Sequence, residues 1–420
     1  MTLTGEPPCT PATGADMPVA NPHMLRAVRR SFDSIDAVTW DALAAANPWA
    51  TPFSAWAFHR AWWDAYGANA HEETLVLVPG DTPADAAEDA PPDGARAPDN
   101  DPAPDTAAPP VAIVPLMHRH EVEPGDVEFR TMLRSQDGPI LTPVSPDAKA
   151  VFFGASYHAD YATLLCAPAD VTAVADALAE YCGSGGDPGH PLPWDAVDLR
   201  RIRCGDPVAD ALAQAFGSRE ISRDWTMNLE PEEVCPVAAL PRDATIDDYL
   251  ATLGKKERHE IRRKVRRAEA AGEIRLDDSP DPLADLDAFI DLHQRRWGAD
   301  GLFPDTPGGE QSRVFVRRLF ELFGPGGPVH LAFLTVGGRR IAAGITFETA
   351  DSMYYYNAGV DPDARDLSPG VLMVERYVRR ALEHGMRRMD FLRGDEPYKY
   401  EWGAVDEPIQ RVLVRRTDTR

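Results

Sequence analysis

The sequence predicts an α/β (α+β) protein of two tandem domains, each with a mixed β-sheet flanked by helices. Its 420 residues exceed what one ordinary hydrophobic core can hold, so two domains are expected. Apolar residues make up 44% of the chain, which is the share of a globular protein. The same order of elements, a hairpin followed by a strand, a helix and a strand, can be traced in each half. The two domains are expected to meet near residue 235.

The charge and the composition of the chain argue against several classes of protein. Lys and Arg number 43 against 67 Asp and Glu, which gives a formal net charge of −24. So acidic a chain should not bind nucleic acid over a broad surface. The N-terminus lacks the basic start and apolar core of a signal peptide, no apolar run reaches the ~18 residues of a membrane span, and the cysteines show no zinc spacing. We expect a cytoplasmic protein without a metal.

The first predicted domain spans residues 21–234. A segment rich in Pro, Thr and Ala precedes it at 1–20, and an acidic Ala/Pro segment interrupts it at 81–110. Both segments are expected to be disordered, because few of their residues can join a core. Helices are predicted at 36–46, 54–66, 170–181 and 207–216. Strands are predicted at 71–78, 111–116, 129–133, 152–153, 160–165 and 196–199.

The second predicted domain spans residues 235–420. Thr245 is expected to cap a helix that begins at Ile246. Gly337 and Gly338 predict a tight turn between two strands of a hairpin. Further helices are predicted at 255–267, 285–296, 312–323 and 370–384. Strands are predicted at 329–336, 341–349, 353–360 and 389–392.

A strand, a loop, a helix and a second strand follow one another within residues 353–403. The Ser-Pro-Gly sequence at 368–370 opens the helix, because serine is a good N-cap and proline suits the first helical turn. The first backbone N–H groups of a helix have no partner within it, so those of Gly370, Val371 and Leu372 are expected to be free. A phosphate can bind at such a helix start.

Three motifs follow one another in this stretch: the Ser-Pro-Gly helix start, Asp-Phe-Leu-Arg-Gly-Asp at 390–395 on the next strand, and Tyr398-Lys399 just after it. In this order they resemble the acetyltransferase family labelled CelD/BcsL. That family belongs to the GNAT superfamily of N-acetyltransferases and is similar to the Fem-type peptidoglycan aminoacyltransferases. The resemblance covers residues 235–410 well and the N-terminal half more loosely. It implies tandem GNAT-like domains, and the first is expected to be degenerate because it lacks these motifs.

The resemblance implies that an acyl-CoA, such as acetyl-CoA, lies across the strand, the loop and the helix, with its pyrophosphate on the helix start. The usual glycine-rich pyrophosphate signature is absent, and Arg365, Ser368 and Gly370 stand in its place. The donor-binding residues that we predict are Asn357, Gly359, Arg365, Ser368, Gly370 and Val371.

Asp390, Lys399 and Tyr356 are the predicted catalytic residues. Asp390 lies in an apolar strand, where a carboxylate must be paired, and Arg393 is the obvious cation nearby; a general base and a structural ion pair both remain open. Alternate strand residues point to opposite faces, so at least one of the tyrosines at 354–356 is expected to be core. The Fem-type resemblance implies that Lys399 lies near the transferred acyl group, where it would stabilise an oxyanion or hold a phosphate.

Arg393, Tyr398 and Trp402 are predicted to contact the acceptor substrate. The predicted helix at 255–267 adds eight basic residues, which spread around most of its circumference. Such a helix is either a solvated surface or an anion-binding surface for a phosphorylated or carboxylated substrate. In the second case Arg262 and Arg266 belong to the site.

Together with these residues, the resemblance implies an acyltransferase that moves an acyl group from acyl-CoA to an amine or hydroxyl of a small molecule or of a cell-envelope or exopolysaccharide precursor. The CelD/BcsL resemblance implies a link to cellulose synthesis. A second hypothesis is a Fem-like transferase that uses aminoacyl-tRNA, which the basic helix favours and the net charge opposes. A third is a non-catalytic scaffold that retains the transferase fold.

Overall fold

A computed structural model gives the structure of residues 24–80, 109–119, 141–145, 147–187 and 189–417. The predicted disordered segment 1–20 and the predicted strand 129–133 lie outside the described residues, as does nearly all of the predicted insertion 81–110. Within the described ranges, no helix is both long enough and apolar enough to cross a membrane.

Strands and helices alternate through most of the described chain. The helices are α1 (Ala37–Ala46), α2 (Trp56–Tyr66), α3 (Val171–Ser184), α4 (Pro207–Gly217), α5 (Glu220–Arg223), α6 (Ile246–Thr252), α7 (Lys255–Ala271), α8 (Pro282–Trp297), α9 (Pro307–Phe323), α10 (Pro369–Glu383) and α11 (Pro397–Glu401). The strands are β1 (Leu25–Arg29), β2 (His71–Glu72), β3 (Leu75–Pro79), β4 (Ala112–Val114), β5 (Leu116–Arg119), β6 (Ala150–Phe153), β7 (Leu165–Cys166), β8 (Gly186–Asp187), β9 (His190–Pro191), β10 (Ala196–Arg203), β11 (Trp225–Ala239), β12 (Ile274–Asp278), β13 (Val329–Val336), β14 (Arg339–Glu348), β15 (Ser352–Val360), β16 (Arg388–Asp390) and β17 (Val405–Arg416).

One large mixed sheet runs through both halves of the molecule, in the order β12-β13-β14-β15-β16-β11-β17-β10-β6-β5-β2. Its central pair is β11 and β17, which are antiparallel. On one side of this pair, β11 is antiparallel to β16 and β16 is parallel to β15. The next two pairs, β15 with β14 and β14 with β13, are antiparallel. Outward from β17, the pairings to β10, β6, β5 and β2 follow the same pattern. The two halves therefore share one topology, and the predicted fold class is confirmed.

The polypeptide crosses between the halves at its C-terminal strand. Val405 to Ile409 pair with the end of β11 in the second half, whereas residues 410–416 lie between the beginning of β11 and β10 of the first half. The predicted division near residue 235 therefore falls inside a continuous strand. The proposed domain ranges 21–234 and 235–420 remain a prediction, because the sheet itself shows no break at this point.

The halves also share a hydrophobic core on one face of the sheet. Phe58 of α2 contacts Phe315 of α9 with ring centroids 5.4 Å apart, and Phe53 contacts Phe347 of β14 at 5.5 Å. All four side chains are buried. Helix α10 covers the opposite face in the second half, where Tyr377 donates a hydrogen bond of 3.2 Å to the carbonyl of Gly344.

Features that depend on local chemistry agree with the sequence predictions. Thr245 caps α6, since its hydroxyl accepts the Asp248 amide at 3.2 Å. Gly337 and Gly338 have positive φ angles of 57° and 81°, as the tight turn between β13 and β14 requires. Gly385 follows α10 with a φ of 71°.

Several strand predictions are wrong or too long. The strand expected at 160–165 is reduced to Leu165–Cys166, because the preceding loop carries side chains that bond to the second half. The strands at 71–78 and 111–116 are each divided in two. The strand at 389–392 ends at Asp390, since Leu392 has a positive φ of 59°. The sequence analysis missed β1, β8, β9, β11, β12, β17, α5 and α11 altogether.

The centre of the sheet contains a buried ion pair, and we predict that its loss strongly destabilises the fold. Arg411 of β17 donates to both carboxylate oxygens of Asp198 on β10, at 2.6 and 2.8 Å, and to Glu230 of β11 at 3.2 Å. Replacement of Arg411 by Met leaves the buried Asp198 carboxylate without its main partner, which costs about 3–5 kcal/mol. Urea unfolding measures this loss.

The matched control is Arg275→Met, which removes an exposed ion pair with Asp277 on the edge strand β12. Its unfolding curve should stay close to that of the wild type, because exposed ion pairs contribute little. Equal midpoints for the two variants would contradict the central role of Arg411.

Candidate functional site

The sheet opens between β15 and β16. These parallel strands pair only through Ser352, Met353 and Tyr354 on β15, and the last pair is Tyr354 with Asp390. The other edge of β15 stays paired with β14 as far as Val360. Among the described strands, none therefore pairs with the β16 side of β15 beyond Tyr354. The backbone groups along this edge are available to an extended ligand.

A β-bulge lies on β15 at this opening. Ile345 of β14 pairs with Asn357 and the next residue, Thr346, pairs with Tyr355, so Tyr356 is the extra residue. Tyr354 and Tyr356 both pack against Phe53 of the first half, at 6.2 and 5.8 Å between ring centroids. Tyr355 lies on the other face, 5.6 Å from Tyr377 of α10. The prediction that the tyrosines face opposite sides is confirmed.

The start of α10 differs from the predicted N-cap. Ser368 has left-handed backbone angles, and its hydroxyl bonds to the Arg267 guanidinium at 2.7 Å instead of capping the helix. Its carbonyl accepts the amides of Val371 and Leu372 at 3.0 and 3.2 Å, so these two N–H groups are not free as predicted. Among the described residues, none accepts from the Gly370 amide, and a Cβ there would meet nothing within 4 Å. Gly370 and Arg267 therefore form the open part of this helix start.

The other predicted donor-binding residues occupy different environments. Asn357 is half-buried at the bulge, and Val371 is half-buried beside the core. Arg365 is exposed on the 3₁₀ helix Pro362–Leu367. Gly359 is buried against α8, where a Cβ would come within 2.4 Å of the His293 amide nitrogen. Only glycine allows this close approach of helix and strand.

Asp390 supports the turn that follows β16. One carboxylate oxygen accepts the Leu392 amide at 2.8 Å, and the other accepts the Tyr161 hydroxyl of the first half at 2.8 Å. Arg393 is not its partner, contrary to the sequence expectation, because its guanidinium bonds instead to Asp160. The side chain of Asp390 is fully buried, and burial raises its pKa from 3.8 to about 6.

Lys399 is buried beneath the same turn. Its ammonium donates to the carbonyl oxygens of Leu392, Arg393 and Gly394 at 3.0, 2.6 and 2.9 Å, and lies 2.8 Å from a Glu396 carboxylate oxygen. An ammonium group has three donors, so the turn uses all of them. A role for Lys399 in catalysis remains a prediction, and this geometry favours a structural one.

The predicted acceptor-binding residues are not brought together. Arg393 is buried in its ion pair with Asp160, and Trp402 lies in the core with its carbonyl accepting the Tyr249 hydroxyl. Tyr398 is exposed and contacts Phe391, with 6.1 Å between ring centroids. On α7, Arg262 pairs with Asp247 and Arg266 is exposed.

The first half contributes residues that the sequence analysis missed. The Tyr356 hydroxyl lies 3.3 Å from Nδ1 of His158, and Nε2 of this ring lies 2.7 Å from the Tyr66 hydroxyl. Asp160 and Tyr161 come from the same loop as His158 and contact Arg393 and Asp390. In the sequence, the concentration of polar and aromatic side chains at residues 157–161 could have indicated that this loop belongs to the site.

Comparisons with known proteins show what part of the chain is similar to. Residues 255–400 match the family model described as an acetyltransferase (GNAT) domain. Domains of this kind use acyl-CoA. No curated protein matches the chain. The crystal structure of FemX is 10% identical, covers 92% of this chain and 96% of its own, and has a TM-score of 0.51, so the two share a fold.

Two further solved structures are similar over most of the chain. A conserved protein of unknown function from Bacteroides thetaiotaomicron VPI-5482 is 10% identical, with 91% of this chain and 98% of that one covered and a TM-score of 0.47. A tandem GNAT protein from the clavulanic acid biosynthesis pathway is 11% identical, with 94% and 99% covered and a TM-score of 0.45.

The raised pKa of Asp390 gives a prediction about stability and pH. Between about pH 4 and pH 6 the folded state binds a proton that the unfolded state has lost, so this group stabilises the fold at low pH and the stabilisation is lost as the pH rises through about 6. The side chain of Asp390→Asn does not titrate. From about pH 4 to pH 7, the free energy of unfolding of this variant should therefore rise relative to that of the wild type by on the order of 3 kcal/mol, measured by urea unfolding. The exposed Asp366→Asn should show no such gain, and a pH-independent difference for Asp390→Asn would contradict the assignment.

Lys399→Met should destabilise the fold, because three buried carbonyl oxygens lose their donor. The cost of one unsatisfied buried group is about 1–3 kcal/mol, so a loss of several kcal/mol is expected in the free energy of unfolding. Lys256→Met, on the exposed surface of α7, provides the control. A folded Lys399→Met protein of wild-type stability that has lost only turnover would instead support the catalytic role.

Proposed function

We propose that this protein is a GNAT-type acyltransferase that transfers an acyl group from acyl-CoA to an amine or hydroxyl group. The observation that carries the proposal is the opening between β15 and β16. Within the described part of the chain, the edge of β15 is free there and leads to a helix start whose Gly370 amide has no acceptor. A helix N-terminus attracts phosphate through its N–H groups and its dipole. The free edge supplies backbone donors and acceptors for an extended chain that ends in a thioester.

The donor would bind with its pyrophosphate at Gly370 and Arg267. Arg267 is exposed, and its one bond to a described residue is to the neutral Ser368 hydroxyl at 2.7 Å, so a phosphate gives its guanidinium a better partner. The thioester limb would run along β15 towards the bulge at Tyr356. The presence of Gly370 leaves room for the phosphate, since a side chain there would fill the space beside the amide.

Proton transfer in this site is assigned to Tyr356 rather than to Asp390. Both oxygens of the buried Asp390 carboxylate already accept hydrogen bonds that hold the neighbouring turn. Tyr356 is half-buried beside the opening and carries a hydroxyl, which can protonate the departing thiolate. Asp390 and Lys399 act through the turn at 391–394, whose shape they fix.

The fold shared with FemX keeps the aminoacyl-tRNA hypothesis as an alternative. A tRNA would need a broad cationic surface. Helix α7 offers less of one than its sequence suggests, because Arg262 pairs with Asp247 and both Arg263 and Lys264 pair with Glu260. This pairing favours acyl-CoA. The acceptor, a small molecule or a cell-envelope or exopolysaccharide precursor of the CelD/BcsL type, follows from the sequence resemblance alone. The proposed cytoplasmic location rests on the sequence patterns of the N-terminus and of the apolar runs.

Titration calorimetry with acetyl-CoA, longer acyl-CoA species and free coenzyme A tests the proposal. We expect binding by the wild type and at least about tenfold weaker binding by Arg267→Glu, since a charge-assisted hydrogen bond contributes roughly 1.5–3 kcal/mol. Gly370→Asp should weaken binding as well, by bulk and by negative charge beside the phosphate.

The matched control is Arg263→Glu, which changes the charge of α7 by the same amount one turn away. Arg263 pairs with Glu260 on its own helix, so its replacement should leave donor binding nearly unchanged. Equal losses in Arg263→Glu and Arg267→Glu would indicate a general effect of charge. Binding of aminoacyl-tRNA without any binding of coenzyme A species would favour the Fem-like alternative, and binding of neither would favour the scaffold.

A further inference from the structure

A chain of hydrogen bonds leads from the core of the first half to the opening in the second. The Tyr356 hydroxyl lies 3.3 Å from Nδ1 of His158 and 3.2 Å from its carbonyl oxygen. Nε2 of His158 lies 2.7 Å from the Tyr66 hydroxyl, which lies 3.0 Å from the Ser312 hydroxyl. The Ser312 hydroxyl also lies 3.1 Å from the Gly308 carbonyl oxygen, to which it can donate. At its other end, the chain reaches the hydroxyl of Tyr356, the extra residue of the bulge.

The ring of His158 is neutral and fixed in orientation. It stacks on Phe315 at 4.2 Å between ring centroids with an interplanar angle of 15°. Burial, together with the nearby charges of Arg201 and Arg393, lowers its pKa to about 3. A neutral imidazole carries one N–H donor and one acceptor nitrogen. The tautomer therefore decides whether Nδ1 donates a hydrogen bond to the Tyr356 hydroxyl or accepts one from it.

The two tautomers arrange the hydroxyl protons differently. With the proton on Nδ1, the ring donates to Tyr356, Tyr356 donates to the His158 carbonyl, and Tyr66 donates to Nε2, so Ser312 turns from the Gly308 carbonyl to donate to Tyr66. With the proton on Nε2, the ring donates to Tyr66, Tyr66 donates to Ser312 and Ser312 donates to Gly308, while Tyr356 donates to Nδ1. Only the first leaves the Tyr356 oxygen with a donor of its own, which an oxygen that develops negative charge requires.

We propose that His158 of the first half is a positioning residue of the acyl-transfer site, and that its Nδ1–H holds the Tyr356 hydroxyl and stabilises the phenolate that forms there. The proposal rests on the proposed function. It gives the first half, which lacks the donor-site motifs, a defined part in the reaction of the second. The two halves then contribute to one site.

The proton transfer balances without a further reactant. The acceptor nitrogen attacks the thioester carbon and becomes a cationic amine, and the carbon–sulfur bond breaks to give a thiolate. The Tyr356 O–H bond breaks as the S–H bond of coenzyme A forms. The phenolate, held by the His158 N–H, then takes a proton from the cationic nitrogen, and the amide remains.

The tautomer can be measured without a substrate. Nitrogen NMR of the full-length protein labelled at histidine, with His158→Phe to identify the signal by its loss, should show His158 neutral and protonated at Nδ1. A ring protonated at Nε2 would overturn the proposal, because Tyr356 would then be the donor in this pair.

A double-mutant cycle tests the functional link. Acetyl-CoA with hydroxylamine as a surrogate acceptor gives a turnover that free thiol release follows. His158→Phe and Tyr356→Phe should each slow turnover by about 10²-fold, the scale of general acid catalysis, and the double variant should be no slower than Tyr356→Phe. His158→Phe keeps the aromatic contact with Phe315 but removes the ring nitrogens that bond Tyr66 and Tyr356, so its melting temperature should fall moderately and turnover is compared well below both melting temperatures.

His59→Phe is the matched control, because His59 is another buried histidine of the first half. Its ring lies beside Trp40 at 5.0 Å between ring centroids and is not a member of this hydrogen-bond chain. Its turnover should equal that of the wild type. If donor binding is intact, either of two results would overturn the positioning role: a double variant in which the two losses of turnover add, or a His158→Phe variant with the turnover of the wild type. Absence of both donor binding and transfer in the wild type would contradict the proposed function itself.

Discussion

The antiparallel pair of β11 and β17 is the constraint on which the rest of this structure depends. Both strands run through the two halves, so neither half can rotate against the other without breaking their ladder of hydrogen bonds. The geometry that results presses a loop of the first half, residues 154–161, against the end of β16. A site that needs side chains from both halves can exist only because this sheet is continuous.

Buried polar groups, rather than apolar contacts, shape the region around that loop. Asp390, Lys399 and the ion pair of Arg393 with Asp160 are all withdrawn from water, which is costly unless each group finds its partners. Each of them does, and the partners are mostly backbone groups of one turn. The turn is consequently rigid, and its shape is set by side chains that do not themselves reach the opening.

The sequence predicted those features whose chemistry is local. The glycines of the hairpin, the Thr245 cap and the opposite faces of the tyrosines follow from neighbouring residues alone. The partners of Asp390 and Ser368 did not follow, because they lie 229 and 101 positions away, at Tyr161 and Arg267. Strand β11 was missed for a related reason. Its two prolines and its acidic residues disfavour a strand locally, and pairing on both sides overrides that preference.

The path of β17 has a consequence for how the chain matures during synthesis. Residues 410–416 supply the strand that β10 of the first half needs, yet they are made more than 200 residues after it. The first half therefore leaves the ribosome with an open sheet edge and cannot close it alone. Such an edge invites pairing with other chains. Both halves can therefore complete their folding only after β17 has been made. Until then, the nascent chain depends on protection of the open edge of β10 from other chains.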